Sequence, residues 1–197
     1  YGDRFFYLLL DDTDIVTGRH LTKIPKAVEE VCQSLDYTPS AVMICITCVD
    51  ALLGTDMDRV CRKSSDRAGV PVVPCYMYAL TREKRLPPMA SVRKSVYSLL
   101  KPRKRKSDEV NILGYFSPLQ DDCELYSLLK SAGVKTIREL SRCESFEEYE
   151  QMSQANFSLV LNAEARYAAQ QMEQELNIPF IELARVFQAD KISTQYR

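Results

Sequence analysis

The 197-residue chain is 46% hydrophobic and 27% charged, with a formal net charge of −1. That balance is the one of a globular chain long enough for one sizeable domain or two small ones, and it offers no global attraction to nucleic acid or to an anionic membrane. No apolar run approaches the roughly 18 residues of a membrane span and no signal-peptide pattern opens the chain, so a cytoplasmic protein is expected, and the start at Tyr1 rather than methionine suggests a piece of a longer one.

In chain order, FFYLLL (residues 5–10) is short, apolar and closed by Asp11 and Asp12, which predicts a buried strand. Ile24, Ala27, Val28, Val31 and Leu35 recur at helical spacing over residues 22–34. AVMICIT (41–47) reads as a second buried strand. A helix over 57–68 follows, with Thr55 or Asp56 available as its N-cap. VPVVPC (70–75) reads as a third strand, placed at an edge or a strand end by its prolines, and 91–100 as another helix. The basic run KPRKRK (101–106) reads as a solvated linker and domain boundary, with a docking patch as the alternative.

Beyond it the rhythm restarts. Strands are predicted over 110–116, 134–138, 157–161 and 178–183, and helices over 121–132, 145–154 and 163–176. Ser145 and Glu148 fit a capping box. In RAGVPVV, SAGVKTI and ELNIPFI a helix ends at Gly or Asn, which tolerate a left-handed cap, and an apolar strand follows at once. Buried strands alternating with helices imply parallel sheets covered on both faces. The expected fold class is α/β: two Rossmann-like three-layer α/β/α units with mainly parallel sheets, one over 1–106 with its N-terminal part missing, the other over 107–197.

Ligands of open parallel sheets sit beyond the carboxyl ends of the strands. Here those ends carry Asp11 and Asp12, Thr47 and Cys48, Cys75 and Tyr76, and Ser117. Cys48 is either a small buried hydrophobe, the common state of free cysteine, or a ligand-binding thiol. Cys45 lies three residues earlier within the strand and points to the opposite face unless the strand ends between the two, which makes CITC a weak chelating pair. Cys32 and Cys61 read as helix core, Cys75 and Cys123 as exposed thiols near strand ends. Seven scattered cysteines are not a secreted disulfide framework. The single histidine, His20, excludes a His-rich metal site and argues against a Ser-His-Asp triad; it reads as a solvated or capping residue at a helix start. Asp56 and Asp58 serve a helix dipole, and Tyr76 and Tyr78 read as packing or as crevice lining. No dinucleotide fingerprint, phosphate loop or nucleophile elbow is present.

Three stretches, in this order, resemble the nitrogenase component 1 family. DIVTGRHL (14–21) is similar to its acidic-aliphatic, Gly-containing turn and basic-aliphatic helix start. ICITCVDALLGTDMDRVCR (44–62) resembles its TTC strand-to-helix signature. LVLNAEARYAAQQMEQELNIPFIEL (159–183) resembles its Tyr-containing helix followed by Met-Glu and Gly-Ile-Pro, and NILGYF (111–116) fits the usual start of its second domain. The resemblance implies a subunit of three Rossmann-like domains, of which this chain covers most of two. It also makes Cys48 a thiolate ligand of an iron–sulfur cluster at a subunit interface, and so both the cofactor-binding and the metal-ligating candidate. A thiolate facing a helix N-terminus suits that role.

The other cluster cysteines of the family lie upstream of this stretch. The cluster is therefore expected in the full-length parent, with none bound and no activity in the fragment. The implied partners are a homologous component 1 subunit, in a homo- or hetero-oligomer, and an ATP-hydrolysing iron–sulfur reductase protein; neither nucleic acid nor membrane is implied. The chain also departs from the family. Leu161-Asn162 stands where the molybdenum–iron α subunit has its cofactor cysteine, Met77-Tyr78-Ala79-Leu80 where it has a Gly-Phe-x-Gly turn, and Pro87-Pro88 where it has a histidine pair. The expected function is a nitrogenase-like electron-accepting oxidoreductase that does not reduce dinitrogen. The alternatives are a non-catalytic metallocofactor assembly scaffold and an α/β ligand-binding domain without a cluster.

Overall fold

Parallel sheets are as a rule covered by helices on both faces. The computed structural model describes residues 4–46, 48–77, 86–183 and 193–194. The chain forms two compact units, Tyr1–Arg82 and Glu83–Arg197. The first holds α1 (Asp12–Val16), α2 (His20–Ser34), β1 (Val42–Ile46), α3 (Cys48–Leu53), α4 (Met57–Ala68) and β2 (Val72–Tyr76). The second holds α5 (Pro88–Tyr97), β3 (Glu109–Leu113), α6 (Glu124–Ser131), β4 (Thr136–Glu139), α7 (Phe146–Glu150), β5 (Phe157–Val160), α8 (Arg166–Leu176) and β6 (Phe180–Glu182). The class is α/β with parallel sheets, as the alternation predicts. β1 pairs with β2, and the second unit has the order β4-β3-β5-β6, parallel throughout.

In the second unit β3 is buried at all five positions. Val110 and Ile112 join Leu159 of β5 on one face, against Leu125, Tyr126 and Leu129 of α6. Leu113 and Val160 join the other face, against Ala168, Ala169 and Met172 of α8, Tyr149 of α7 and Tyr97 of α5. Period-2 alternation on buried strands thus feeds two cores and gives three layers.

α5 is read from the sequence as lying before the domain boundary, yet it packs with the second unit. Its Tyr97 and the following Leu100 are buried in that unit's core, and the Tyr149 hydroxyl donates to the Val96 carbonyl at 2.5 Å. The basic run 101–106 forms no helix or strand and is exposed, but it is tied down. Arg103 pairs with Glu150 and Lys106 with Glu109, both at 2.8 Å, and the Lys106 N–H donates to the Gln154 carbonyl.

In the first unit α2 and α4 cover one face of β1 and β2. Ile24, Val28, Met57, Val60 and Cys61 pack on Ile44, Ile46 and Val72. Met43 and Cys45, at the alternate positions of β1, are exposed. β2 tolerates Pro74 because, among the described residues, it pairs on one side only. FFYLLL is not the buried strand that its composition predicts: residues 5–10 form no strand, and Tyr7 and Leu9 are 81% and 87% exposed. An apolar run becomes a strand by pairing with a sheet edge, and no described strand pairs with this one.

Most element ends follow local chemistry. α4 stops at Gly69 (φ 71°) and α8 at Asn177 (φ 57°), both left-handed caps. α5 starts earlier than predicted, at Pro88, where proline's missing N–H costs nothing. α6 starts later, at Glu124, because Asp121 stays outside it and pairs with Arg142 at 2.6 Å. Ser145 Oγ accepts the Glu148 N–H, but the Glu148 carboxylate takes the Glu144 N–H, so half of the capping box forms.

The packing separates core from surface. Met172→Ala is expected to lower the unfolding free energy of the chain by about 2–5 kcal/mol, and Leu9→Ser by less than about 0.5 kcal/mol, as read from urea denaturation.

Candidate functional site

β1 leaves its sheet at Ile46, and Cys48 opens α3 two residues later; Thr47 lies outside the described residues. Cys48 is a free, exposed thiol. No residue of α3 is buried, and Val49, Leu52 and Leu53 face solvent with it. Cys48 is therefore not a small core hydrophobe; it is open to a ligand at the strand end where parallel α/β sheets place their chemistry. Among the described residues no three or more His, Cys, Asp or Glu side chains come together to hold a metal. An iron–sulfur cluster takes about four thiolates, so Cys48 fits one position of such a site and the described residues do not complete it.

Around this strand end the polar groups serve the fold. Asp11 caps α1, accepting the Asp14 N–H at 2.7 Å. The buried Asp14 carboxylate pairs with Lys23, whose hydrogen bond holds the Asp14 carboxyl below the usual carboxylate range. His20 is buried, not solvated. Its Nδ1 lies 3.2 Å from the Asp14 carbonyl and its Nε2 3.5 Å from Thr55 Oγ1. A carbonyl only accepts, which assigns the proton to Nδ1. The ring thus clips the turn before α2 to the loop before α4. Asp56 caps α4 by accepting the Arg59 N–H at 3.0 Å, and Asp58 accepts the Tyr76 hydroxyl at 3.2 Å. Cys61 is buried and Cys32 half-buried, as read from their helices; Cys123 is half-buried before α6. Cys75 corrects the sequence reading: it is 4% exposed, and burial, then Cys45, push its thiol up to about 11. Tyr78 lies outside the described residues.

In the second unit the strand order reverses at β3, which has β4 on one side and β5 on the other. The carboxyl ends of β3 and β5 are therefore the place for a ligand crevice. Gly114 leaves β3 at φ 147°, and a Cβ there would come within 2.9 Å of the Asn162 nitrogen. Asn162, where the family resemblance places a cofactor thiol in one subunit, uses its side-chain oxygen to accept the Glu164 N–H at 3.0 Å. Arg93 of α5, 5% exposed, closes the group. Its Nε and Nη2 donate to the Gly114 carbonyl at 3.1 and 2.8 Å, and its Nη1 to Met89 at 3.0 Å. It also pairs with Glu164 at 2.9 Å and lies 4.6 Å from the Phe116 ring centre. So engaged, the guanidinium clamps the strand exit rather than offering a free charge to an anion. Sequence reasoning missed it, although Ala90, Arg93 and Tyr97 share the buried spacing of one helix face. At the next strand the buried Glu139 accepts from Leu119 N–H, Arg142 Nε and the Tyr126 hydroxyl. Burial, then Glu139, push that hydroxyl up to about 12.

Parallel strands alternating with helices, with candidate groups at the strand ends, define the class of open α/β proteins, a fold shared by many functions. The profile of the Nitrogenase component 1 type Oxidoreductase family matches residues 3–197, and the chain belongs to that family. It is 27% identical over 177 residues to the nitrogenase iron-molybdenum cofactor biosynthesis protein NifE of Nostoc sp. (strain PCC 7120), covering 88% of this chain and 36% of that one. It is 28% identical over 192 residues to the nitrogenase molybdenum-iron protein alpha chain of Methanosarcina barkeri, covering 92% and 35%. The solved structure of nitrogenase Cp1 at pH 5 superposes with a TM-score of 0.66 over 88% of this chain and 35% of that one, at 22% identity, a likeness of fold. The chain spans about a third of the length of these relatives. Among the described residues no helix is long and apolar enough to cross a membrane.

Two outcomes test these contacts. Arg93→Met, which strips the Gly114 carbonyl and Glu164 of their donors, is expected to cost about 2–3 kcal/mol in guanidinium denaturation, and Arg93→Lys to recover only part, because an ammonium cannot replace the fork. Asp14 is depressed in the folded state, so its contribution is present above the unfolded pKa and lost as pH falls through the folded one. Wild type should melt above Asp14→Asn at pH higher than about 5, with the gap closing as the pH falls below the ordinary carboxylate pKa of about 4.

Proposed function

We propose that the chain is part of a nitrogenase-like component 1 subunit that accepts electrons through an iron–sulfur cluster, with Cys48 supplying one of its thiolates. The observation that carries this reading is the exposed, free Cys48 at the carboxyl end of β1. The remaining ligands come from other parts of the protein or from a homologous component 1 subunit. The electron source is an ATP-hydrolysing iron–sulfur protein, and the setting is the cytoplasm. The substrate is not dinitrogen, a reading supported by Leu161-Asn162, which carries no thiol where the family resemblance implies a cofactor cysteine in one subunit; the Asn162 side chain accepts the Glu164 N–H instead. The 197-residue chain on its own carries no turnover.

A second reading, a scaffold on which a metallocofactor is assembled, is favoured by the similarity to a protein named for iron-molybdenum cofactor biosynthesis. The two readings share Cys48 and differ in what happens to the electrons.

The test uses the full-length parent, purified without oxygen. Iron, sulfide and low-temperature EPR are measured for wild type and Cys48→Ala. Iron at cluster stoichiometry in wild type, falling at least several-fold in the variant, is expected; equal iron in both removes Cys48 from the site. ATP-dependent reduction of an acceptor marks the reductase, and its absence together with transfer of a bound metallocofactor to a recipient protein marks the scaffold.

A further inference from the structure

Cys45 of β1 and Cys75 of β2 are partners in the parallel register. Neighbouring strands lie about 4.8 Å apart, which puts the two Cα atoms inside the roughly 4.4–6.8 Å that a disulfide spans. Residues in register on parallel strands leave the sheet on the same face, so the two thiols stand side by side. Their access differs: Cys45 is exposed, whereas Cys75 is 4% exposed. Both are free thiols. An exposed thiol beside a buried one is the arrangement of an attacking and a resolving cysteine.

We propose that Cys45 and Cys75 close into a reversible cross-strand disulfide by exchange with a low-molecular-weight disulfide such as oxidised glutathione. The Cys45 thiolate attacks one glutathione sulfur. The glutathione S–S bond breaks, one glutathione leaves and takes up the proton that Cys45 gave up, and a mixed disulfide remains on Cys45. Cys75 then gives up its proton and attacks Cys45 Sγ, and the second glutathione leaves as a thiol. Two protein thiols are oxidised, one small disulfide is reduced to two thiols, and protons and electrons balance. Access sets the order, because a buried thiol is inert until the mixed disulfide forms beside it. The Cβ atoms of in-register parallel residues start near the strand spacing of about 4.8 Å, and a disulfide brings them to about 3.5–4.5 Å. Closure therefore strains the pair, and strained disulfides are the reducible ones. The bond would lock the strand that leads to Cys48, but the proposal does not depend on Cys48 holding a cluster.

The experiment equilibrates the 197-residue chain with glutathione redox buffers, quenches with acid, alkylates free thiols and maps every cysteine by tandem mass spectrometry. Wild type is expected to lose two hydrogen atoms in a species with a Cys45–Cys75 bond, and reduced glutathione to restore both thiols. Cys75→Ser should stop at the mixed disulfide on Cys45, and Cys45→Ser should lower the yield of either product at least tenfold. Circular dichroism checks that the variants fold, and the wild-type map decides alone if they do not. Two results would overturn the proposal: wild type accumulating the Cys45 mixed disulfide as fully as Cys75→Ser does, or oxidation yielding a Cys45–Cys48 bond.

Discussion

The second unit depends on one strand being buried on both faces. β3 has no exposed position, so each side chain must find a partner above or below the sheet, and the helices are placed by that demand. α6 covers Val110 and Ile112; α5, α7 and α8 cover Leu113. The demand continues past the strand. Where β3 ends, the backbone of β5's exit approaches so closely that a side chain at Gly114 would strike Asn162. The freed Gly114 carbonyl cannot reach water and takes two hydrogen bonds from Arg93 instead. A packing constraint thus becomes an electrostatic one within a single residue.

The first unit meets the same constraint differently. α2 and α4 bury one face of β1 and β2, while Met43, Cys45 and the whole of α3 show apolar or sulfur-bearing surface to solvent. Contiguous exposed apolar surface of this kind is uncommon on soluble monomers. The Cys48 thiol lies within that exposed stretch, and its accessibility is a consequence of the uncovered α3.

The two strand exits therefore divide the chemistry. At the switch point of the second unit, Asn162, Gly114, Arg93 and Glu164 satisfy one another. At the end of β1 a free thiol stands exposed, and among the described residues no three or more His, Cys, Asp or Glu side chains gather to hold a metal. The chain belongs to the nitrogenase component 1 family and spans about a third of the length of the relatives it matches.

Composition and spacing were enough to determine the α/β class, the parallel sheets, the caps at Gly69 and Asn177, an N-cap at Thr55 or Asp56 and the position of Cys48 at a strand end. Each of these is a local matter: a periodicity, a backbone conformation that one residue type tolerates, a run that must be buried. Burial and pairing were decided by tertiary structure alone. FFYLLL has the composition of a strand and no edge to join, His20 is sealed between Asp14 and Thr55, and Cys75 is buried beside Cys45. Arg93 spends its charge inside α5's apolar face. These depend on what lies across space from a residue, and contacts between Arg93 and Gly114 or between Cys45 and Cys75 join positions that no local pattern relates.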